Sequence, residues 1–344
     1  MESSKKRIDA LDLLKSLAIF LVIWGHVIQH CLSSNQVDEP VYRFIYTFHM
    51  PLFMVLCGFF SWSSMKMKSG PMLKKKTMTI LLPSIIFGGL VFLLVSTAYV
   101  AEGNTGPVSI SLLGDLLWSS YWFLKAVFLC YIIAWIGVNS KLWSPLWVLA
   151  TCLLVQFWPH FNMPLMYPCF VIGMFLKQII DKDWFVRFRY LYLLVFVACL
   201  LFWTKDFAGD YEKILESFSP FTNEFLHLLL FRCYKLIMGV SASFFLIATV
   251  RKYLWGFDAN QTTIGYWAAQ CGVYSMGVYL IQTVLLEYML KKFVSFDSLN
   301  SWMFSIVIAP LFSLVVLMIC VAAIRLINRK RVFSLLLFGN NYVK

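Results

Sequence analysis

The sequence predicts an all-α protein that crosses a membrane many times as one helix bundle. Hydrophobic residues make up 60% of its 344 residues, whereas charged residues make up only 13%. A soluble chain of this length could not bury so large an apolar fraction. Apolar runs of about 18–23 residues recur, and this length crosses roughly 30 Å of hydrocarbon. Since no polar region is left over, we interpret residues 1–344 as a single integral-membrane domain.

The apolar runs predict about ten membrane spans, separated by short polar or basic segments. In chain order they cover residues 13–33, 43–63, 78–99, 117–138, 144–158, 162–180, 189–204, 225–250, 266–290 and 302–324. The fifth and seventh runs are short for a full crossing. Prolines are expected to kink or start helices within these runs, at Pro51, Pro83, Pro164, Pro168 and Pro310.

The distribution of cations predicts the orientation of the bundle. With the N-terminus inside, twenty of the 29 Lys and Arg residues fall in inner segments, five in outer segments and four within spans. Cytoplasmic loops carry such an excess of cations, so both termini are expected to be cytoplasmic. The net charge of +12 is therefore a membrane-topology signal and does not indicate a nucleic-acid partner. The nine cysteines are scattered without a C-x-x-C pair, so no metal site is expected.

Two histidines are placed at matching depths by this topology. His26 lies near the outer end of the first span and His49 near the outer start of the second, each roughly 10–12 Å below the outer surface. Ionisable groups within a bilayer are costly and usually functional. A neutral imidazole in a shared cavity could take a proton from a hydroxyl as a general base. Alternatively, each histidine is buried and bonded to a backbone carbonyl.

Cations at the inner ends of the spans suggest an anionic ligand from the cytoplasm. Lys15 lies roughly 16 Å along the helix axis from His26, towards the cytoplasmic face. Together with Arg7 and the cluster that ends at Lys76, it could bind a phosphorylated ligand. The alternative is that Lys15 reaches the interface or pairs with Asp12, and that the cluster is a topology anchor.

Three further cations, Lys125, Arg232 and Lys235, lie deep within predicted spans. Glu287 is the carboxylate within the ninth span. This surplus of buried positive charge favours an anionic ligand, although a structural ion pair with Glu287 would explain the same residues.

Sequence motifs in four of the predicted spans resemble those of the integral-membrane acyltransferase 3 family of bacterial O-acyltransferases. The matching residues are Arg7, Leu11-Asp12, Lys15 and His26, then Phe48-His49-Met50-Pro51-Leu52-Phe53, then Trp122-Phe123-Leu124, then Tyr274 to Leu280. Gln282 stands where the family carries a late histidine, and Lys76 and Thr79 stand where an Arg-x-x-Arg is common.

The resemblance implies acyl transfer, usually of acetyl, from acyl-coenzyme A in the cytoplasm. The acceptor would be a hydroxyl of a cell-surface polysaccharide or of a lipid-linked glycan precursor, and the location the bacterial cytoplasmic membrane. Acetyl-coenzyme A would be a cosubstrate, with no permanently bound cofactor.

On this reading His26 is the general base, or carries a transient acyl group, and His49 orients it or stabilises the oxyanion. The expected donor-binding residues are Arg7, Lys15 and Lys76, and the expected acceptor-binding residues are Trp122, Arg232, Lys235, Gln282 and Glu287. A transporter or flippase for a glycan or an anionic solute also uses intramembrane charges, but often carries internal repeats, which are not found here. A non-catalytic scaffold accounts for neither histidine.

Overall fold

The architecture is that of a computed structural model, which describes residues 9–32, 36–103, 110–140, 143–208, 223–290, 296 and 300–339. The described residues contain helices and no β-strand. In chain order the helices are α1 (Asp9–Cys31), α2 (Pro40–Tyr46), α3 (His49–Met65), α4 (Ser69–Ala101), α5 (Ile110–Ser119), α6 (Trp122–Asn139), α7 (Pro145–Leu154), α8 (Met163–Ile179), α9 (Asp183–Arg187), α10 (Arg189–Leu201), α11 (Lys205–Ala208), α12 (Asn223–Tyr253), α13 (Thr263–Val273), α14 (Ser275–Met289), α15 (Ser301–Ile327) and α16 (Arg331–Phe338).

The prediction of an all-α membrane protein is confirmed for the described residues. Within the described residues, six helical stretches are long and apolar enough to cross a membrane: α1, α2 with α3, α4, α6, residues 225–253 of α12, and α15. A bent pair, α13 and α14, adds a seventh if it forms one span. The chain is therefore a multi-pass membrane protein.

Three predicted spans correspond to helices shorter than the others. They are α7 with 10 residues, α8 with 17 and α10 with 13. The prediction of ten spans, like the cytoplasmic placement of both termini, therefore stays a prediction.

Helix α1 lies at the centre of the bundle, in contact with α3, α12, α13, α14 and α15. A glycine makes one of these contacts close. A Cβ atom on Gly272 of α13 would lie only 1.9 Å from the carbonyl oxygen of Asp12. The hydroxyl of Ser16 also donates a hydrogen bond to the carbonyl oxygen of Ala268, so α1 and α13 touch backbone to backbone at the Lys15 end of α1.

A second close contact joins α3 to α8. A Cβ atom on Gly58 would lie 1.9 Å from the carbonyl oxygen of Phe170, and one on Gly173 would lie 2.0 Å from that of Val55. Small residues allow membrane helices to approach in this way, where dispersion and close packing drive association. This contact holds α3, which begins at His49, against the core.

Besides the short break between α2 and α3 in the second predicted span, two predicted spans are interrupted where the sequence suggested single helices. The ninth bends by 69° at Tyr274, between α13 and α14. The fourth breaks at Tyr121, which has a left-handed backbone conformation with φ of 54°. Such a conformation costs a non-glycine residue about 1–3 kcal/mol and requires support from the surrounding structure. The support at Tyr121 is tertiary: its ring is buried and its hydroxyl donates to the carbonyl oxygen of Leu280 at 3.2 Å.

Candidate functional site

A polar cavity of about 440 Å³ lies among α1, α2, α3, α6 and α14. We call it the polar cavity. Its described wall consists mostly of polar and aromatic side chains: Gln29, Tyr42, Tyr46, Ser119, Ser120, Tyr121, Trp122, Asn162, Trp203, Phe207, Tyr279, Thr283 and Tyr288, together with the charged and titratable residues His26, His30, His49, Lys235 and Glu287. Hydroxyl, amide and imidazole groups can bind a polyhydroxylated ligand, and the aromatic rings offer flat apolar faces.

His26 projects from the C-terminal half of α1 onto this wall. Its Nδ1 atom lies 3.1 Å from the Oε1 atom of Gln282 on α14. Gln282 is fully buried and does not line the polar cavity. The residue predicted to bind the acceptor is therefore placed as a hydrogen-bonding partner of His26.

His49 lies at the junction of α2 and α3, where the helix is interrupted. Its Nδ1 atom donates to the carbonyl oxygen of Ile45 at 2.7 Å, because a carbonyl oxygen can only accept. The neutral ring then carries its lone pair on Nε2. The Tyr46 ring packs edge-on against it, with 4.6 Å between centroids. The structure thus brings His49 to the cavity of His26 and also shows the carbonyl bond considered as the alternative.

The break at Tyr121 determines which residues of the fourth span reach the cavity. Helix α5 ends at Ser119 and α6 begins at Trp122, so the turn between them faces the polar cavity. Trp122, expected at the acceptor site, lies on the cavity wall. The Tyr121 ring packs edge-on against Tyr279, 5.9 Å between centroids, which ties this turn to α14.

The deep charged residues divide into two groups. Lys235 and Glu287 line the polar cavity. Arg232 does not: it is buried, and its Nη1 atom donates to the carbonyl oxygen of Gln156 at 2.8 Å. Lys125 donates to the carbonyl oxygen of Ser120. Two of the three deep cations, Lys125 and Arg232, thus bond to backbone carbonyls, and the third, Lys235, lines the polar cavity.

A second, apolar cavity of about 170 Å³ adjoins the polar cavity. The two share the wall residues Val22, Met50 and Tyr279. The remaining lining of this apolar cavity is Ile19, Phe53, Cys57, Ile80, Phe123, Leu124, Val127, Tyr131, Ser275 and Met276. Since Ile19 and Val22 precede His26 on α1, the apolar cavity extends from the histidine towards Lys15.

Cations lie at the far end of the apolar cavity. The Lys76 ammonium is 3.5 Å from the centroid of the Tyr131 ring, which lines it. The Cys57 thiol, which also lines the apolar cavity, interacts electrostatically with both Lys15 and Lys76. Lys15 also pairs with Asp12 at 3.0 Å and lies 4.3 Å from the Phe60 ring centroid. The structure therefore groups two of the predicted donor-binding cations, while Arg7 lies outside the described residues.

His30, Tyr42 and Tyr46 line the polar cavity but were not singled out from sequence. His30 is one turn beyond His26 on α1, and the spacing of four residues could have identified it as sharing the same helix face. Tyr42 and Tyr46 carried no such signal, because aromatic residues are common in every span, whereas Tyr279 lies within the family motif from Tyr274 to Leu280.

No group of three His, Cys, Asp or Glu side chains in the described part of the chain is arranged to hold a metal ion.

Comparison with known proteins identifies relatives over most of the chain. A family model described as an acyltransferase domain, acyltransferase 3, matches residues 8–336. Two curated relatives, both named nodulation protein NolL, come from Mesorhizobium japonicum and Sinorhizobium fredii. Each is 27% identical, over 213 and 218 residues respectively. These alignments cover 57% of this chain and 57% of each relative.

No solved structure matches the chain. The family match spans the helices that form both cavities, including α1 with His26, α3 with His49 and α14 with Gln282. The predicted resemblance is confirmed: this multi-pass membrane protein belongs to the acyltransferase 3 family.

Proposed function

We propose that the protein is an O-acyltransferase that moves an acyl group from acyl-coenzyme A to a sugar hydroxyl. The observation that carries this proposal is the position of His26. It lies on a polar cavity suited to an alcohol, next to an apolar cavity that runs towards two lysines. An imidazole so placed can be reached by two different substrates from two sides.

The proposed reaction needs one base. His26 removes the proton of the acceptor hydroxyl as its oxygen attacks the thioester carbonyl carbon. The tetrahedral intermediate collapses as the carbon–sulfur bond breaks. The protonated imidazole then returns its proton to the departing thiolate, so that an ester and free coenzyme A are formed. His49 is proposed to donate to the oxyanion or to orient the acceptor.

On the donor side, the apolar cavity suits the uncharged pantetheine arm of coenzyme A. Lys15 and Lys76, at its far end, are proposed to bind the coenzyme phosphates from the cytoplasm, together with Arg7. Lysine binds phosphate as a point charge, so phosphate binding at these positions does not require the bidentate geometry of an arginine side chain. Acetyl is the proposed acyl group, following the family resemblance.

On the acceptor side, the polar cavity falls within the size range of small-molecule sites, about 300–1,000 Å³. Its hydroxyls, amides and rings suit a sugar, with Trp122, Lys235 and Glu287 as proposed contacts. We propose a residue of a surface polysaccharide or of a lipid-linked precursor, acylated in the bacterial cytoplasmic membrane. Arg232, bonded to the carbonyl of Gln156, is assigned a supporting role.

Membership in an acyltransferase family favours this proposal over transport of a glycan or an anionic solute. The two cavities that adjoin beside His26 also favour chemistry, because a transport path requires no general base.

The experiment compares the surface glycans of three strains by mass spectrometry: a gene deletion complemented with wild-type protein, with His26→Ala, or with empty vector. The wild-type glycan should be heavier by one acyl group per modified residue, and the His26→Ala glycan should match the empty-vector control. Immunoblots of membranes check that the two proteins are present in equal amounts. Identical glycan masses in all three strains, or acylation by His26→Ala, would refute the proposal.

A further inference from the structure

The buried amide of Gln282 forms a hydrogen-bond network behind His26. Its Nε2 atom lies 2.9 Å from the hydroxyl of Thr283 and 3.4 Å from the carbonyl oxygen of Tyr279. The Thr283 hydroxyl in turn donates to the same Tyr279 carbonyl at 2.9 Å. All three residues belong to α14, so the network is built within one helix.

This network fixes the orientation of the amide. The Tyr279 carbonyl can only accept, and the Thr283 hydroxyl uses its single proton on that carbonyl, so both groups require a donor facing them. The amide nitrogen of Gln282 supplies it. Reversing the amide would place its oxygen against the Tyr279 carbonyl oxygen and would draw the Thr283 proton away from that carbonyl, so both side-chain hydrogen bonds to the Tyr279 carbonyl would be lost at a fully buried site. The Oε1 atom must therefore face His26.

The orientation of the amide determines the tautomer of the histidine. An amide oxygen accepts only, so the Nδ1 atom of His26, 3.1 Å away, must carry the proton. In the neutral ring the lone pair then belongs to Nε2. The same bond stays favourable when the ring becomes protonated, because both ring nitrogens then donate.

We propose that Gln282 is a positioning residue that holds His26 in the one tautomer able to act as a base through Nε2. The inference rests on the proposed function, since it assigns a partner to the proposed base. It also gives the departure from the family pattern a physical meaning: a glutamine amide whose direction α14 fixes takes the place of the late histidine.

The anchoring of α14 supports this role. Tyr121, at the strained turn between α5 and α6, donates from its hydroxyl to the carbonyl oxygen of Leu280, two residues before Gln282. The amide therefore sits on a helix segment that is fixed to a second wall of the polar cavity.

The test measures coenzyme A release by purified protein with acetyl-coenzyme A and isolated surface glycan. Gln282→Leu removes the acceptor of the Nδ1 proton at similar volume, and kcat should fall roughly tenfold or more. The KM for acetyl-coenzyme A should stay within about twofold of the wild-type value, since Gln282 does not line the apolar cavity proposed for the donor. A Leu variant with wild-type kcat would overturn the assignment.

Gln282→Glu and Gln282→His test positioning apart from folding. Either side chain can accept from Nδ1, so both should retain clearly more activity than Gln282→Leu. A carboxylate beside the ring stabilises its protonated form, so the acid limb of the kcat/KM profile of Gln282→Glu should move to higher pH. A limb that stays at the wild-type position would contradict the proposal, and this readout holds even where the Leu variant fails to fold.

Gln156→Leu is the matched control. This half-buried glutamine also donates from its amide to two carbonyls, those of Cys152 and Pro164, but it has no contact with His26. Its kcat should stay near the wild-type value. Comparison with His26→Ala separates the two proposals: if His26→Ala is active, the proposed function fails, whereas an inactive His26→Ala beside a fully active Gln282→Leu refutes the positioning role alone.

Discussion

His26 and His30 lie one turn apart on α1, with their rings edge to face and 5.7 Å between centroids. Both line the polar cavity. The second imidazole is thus placed beside the proposed base and one turn nearer the predicted outer surface, where an acceptor sugar would enter.

Replacing His30 by Phe should weaken acceptor binding. Phenylalanine keeps the edge contact with His26 but removes the polar atoms that the wall offers to a sugar. Loss of one hydrogen bond of roughly 1 kcal/mol predicts a several-fold rise in the KM for the glycan. This KM is measured by steady-state kinetics with varied glycan and saturating acetyl-coenzyme A. An unchanged KM would remove His30 from the acceptor site.

Replacing Lys76 by Gln should weaken donor binding. The Lys76 ammonium lies against the Tyr131 ring at the end of the apolar cavity, and charge-assisted contacts to phosphate are worth roughly 1.5–3 kcal/mol. The KM for acetyl-coenzyme A should therefore rise at least tenfold, with kcat little changed. Lys75→Gln is the control, since Lys75 is an exposed neighbour in the same cluster. Equal effects of the two substitutions would show that only general surface charge matters.

The donor should protect Cys57 from modification. Its thiol lines the apolar cavity within electrostatic range of Lys15 and Lys76, where the proposed pantetheine arm would pass. In a variant that retains Cys57 as its one cysteine, acetyl-coenzyme A should slow labelling by a maleimide several-fold. The matching variant that retains the exposed Cys233 should label at the same rate with or without donor. If acetyl-coenzyme A leaves the labelling rate of Cys57 unchanged, the donor does not pass through the apolar cavity.

Substituting Gly58 by Ala should destabilise the bundle without touching the chemistry. The added Cβ would lie 1.9 Å from the Phe170 carbonyl oxygen, so α3 and α8 must separate. Overpacking of this kind costs about 1–3 kcal/mol, and the unfolding temperature in detergent should fall by several degrees. Gly89→Ala is the control, because nothing lies within 4 Å of its added Cβ. A stable Gly58→Ala variant would mean that this contact is looser than the structure indicates.

The sequence predicted the helical membrane class and the family because both depend on local signals. An apolar run long enough to cross hydrocarbon is visible residue by residue. The residues from Phe48 to Phe53 are contiguous, and Lys15 and His26 lie on one helix. The matching depths of His26 and His49 required only helix geometry and adjacency, and the structure brings both to one cavity.

The sequence did not reveal the hydrogen-bonding partners of the deep polar residues. Arg232 was expected at the acceptor site, yet it bonds to a carbonyl 76 positions away. The position of a side chain along a helix gives its depth, but the rotation of the helix decides whether it faces a cavity or a neighbour. The sequence does not reveal the break at Tyr121 either. The free-energy cost of its left-handed backbone conformation is offset by contacts with α14, which only the tertiary structure shows.

Sequence alone therefore determined that this chain is a multi-pass helical membrane protein of an acyltransferase family, with an imidazole in its first span. Only the tertiary structure decided that Gln282 lies behind that imidazole, 256 positions away in the chain, and that two cavities meet beside it. The reason is physical. Insertion of each span depends on its own apolar content, whereas a cavity and its hydrogen bonds depend on how closely and at what rotation helices pack, which glycines such as Gly58 and Gly272 permit.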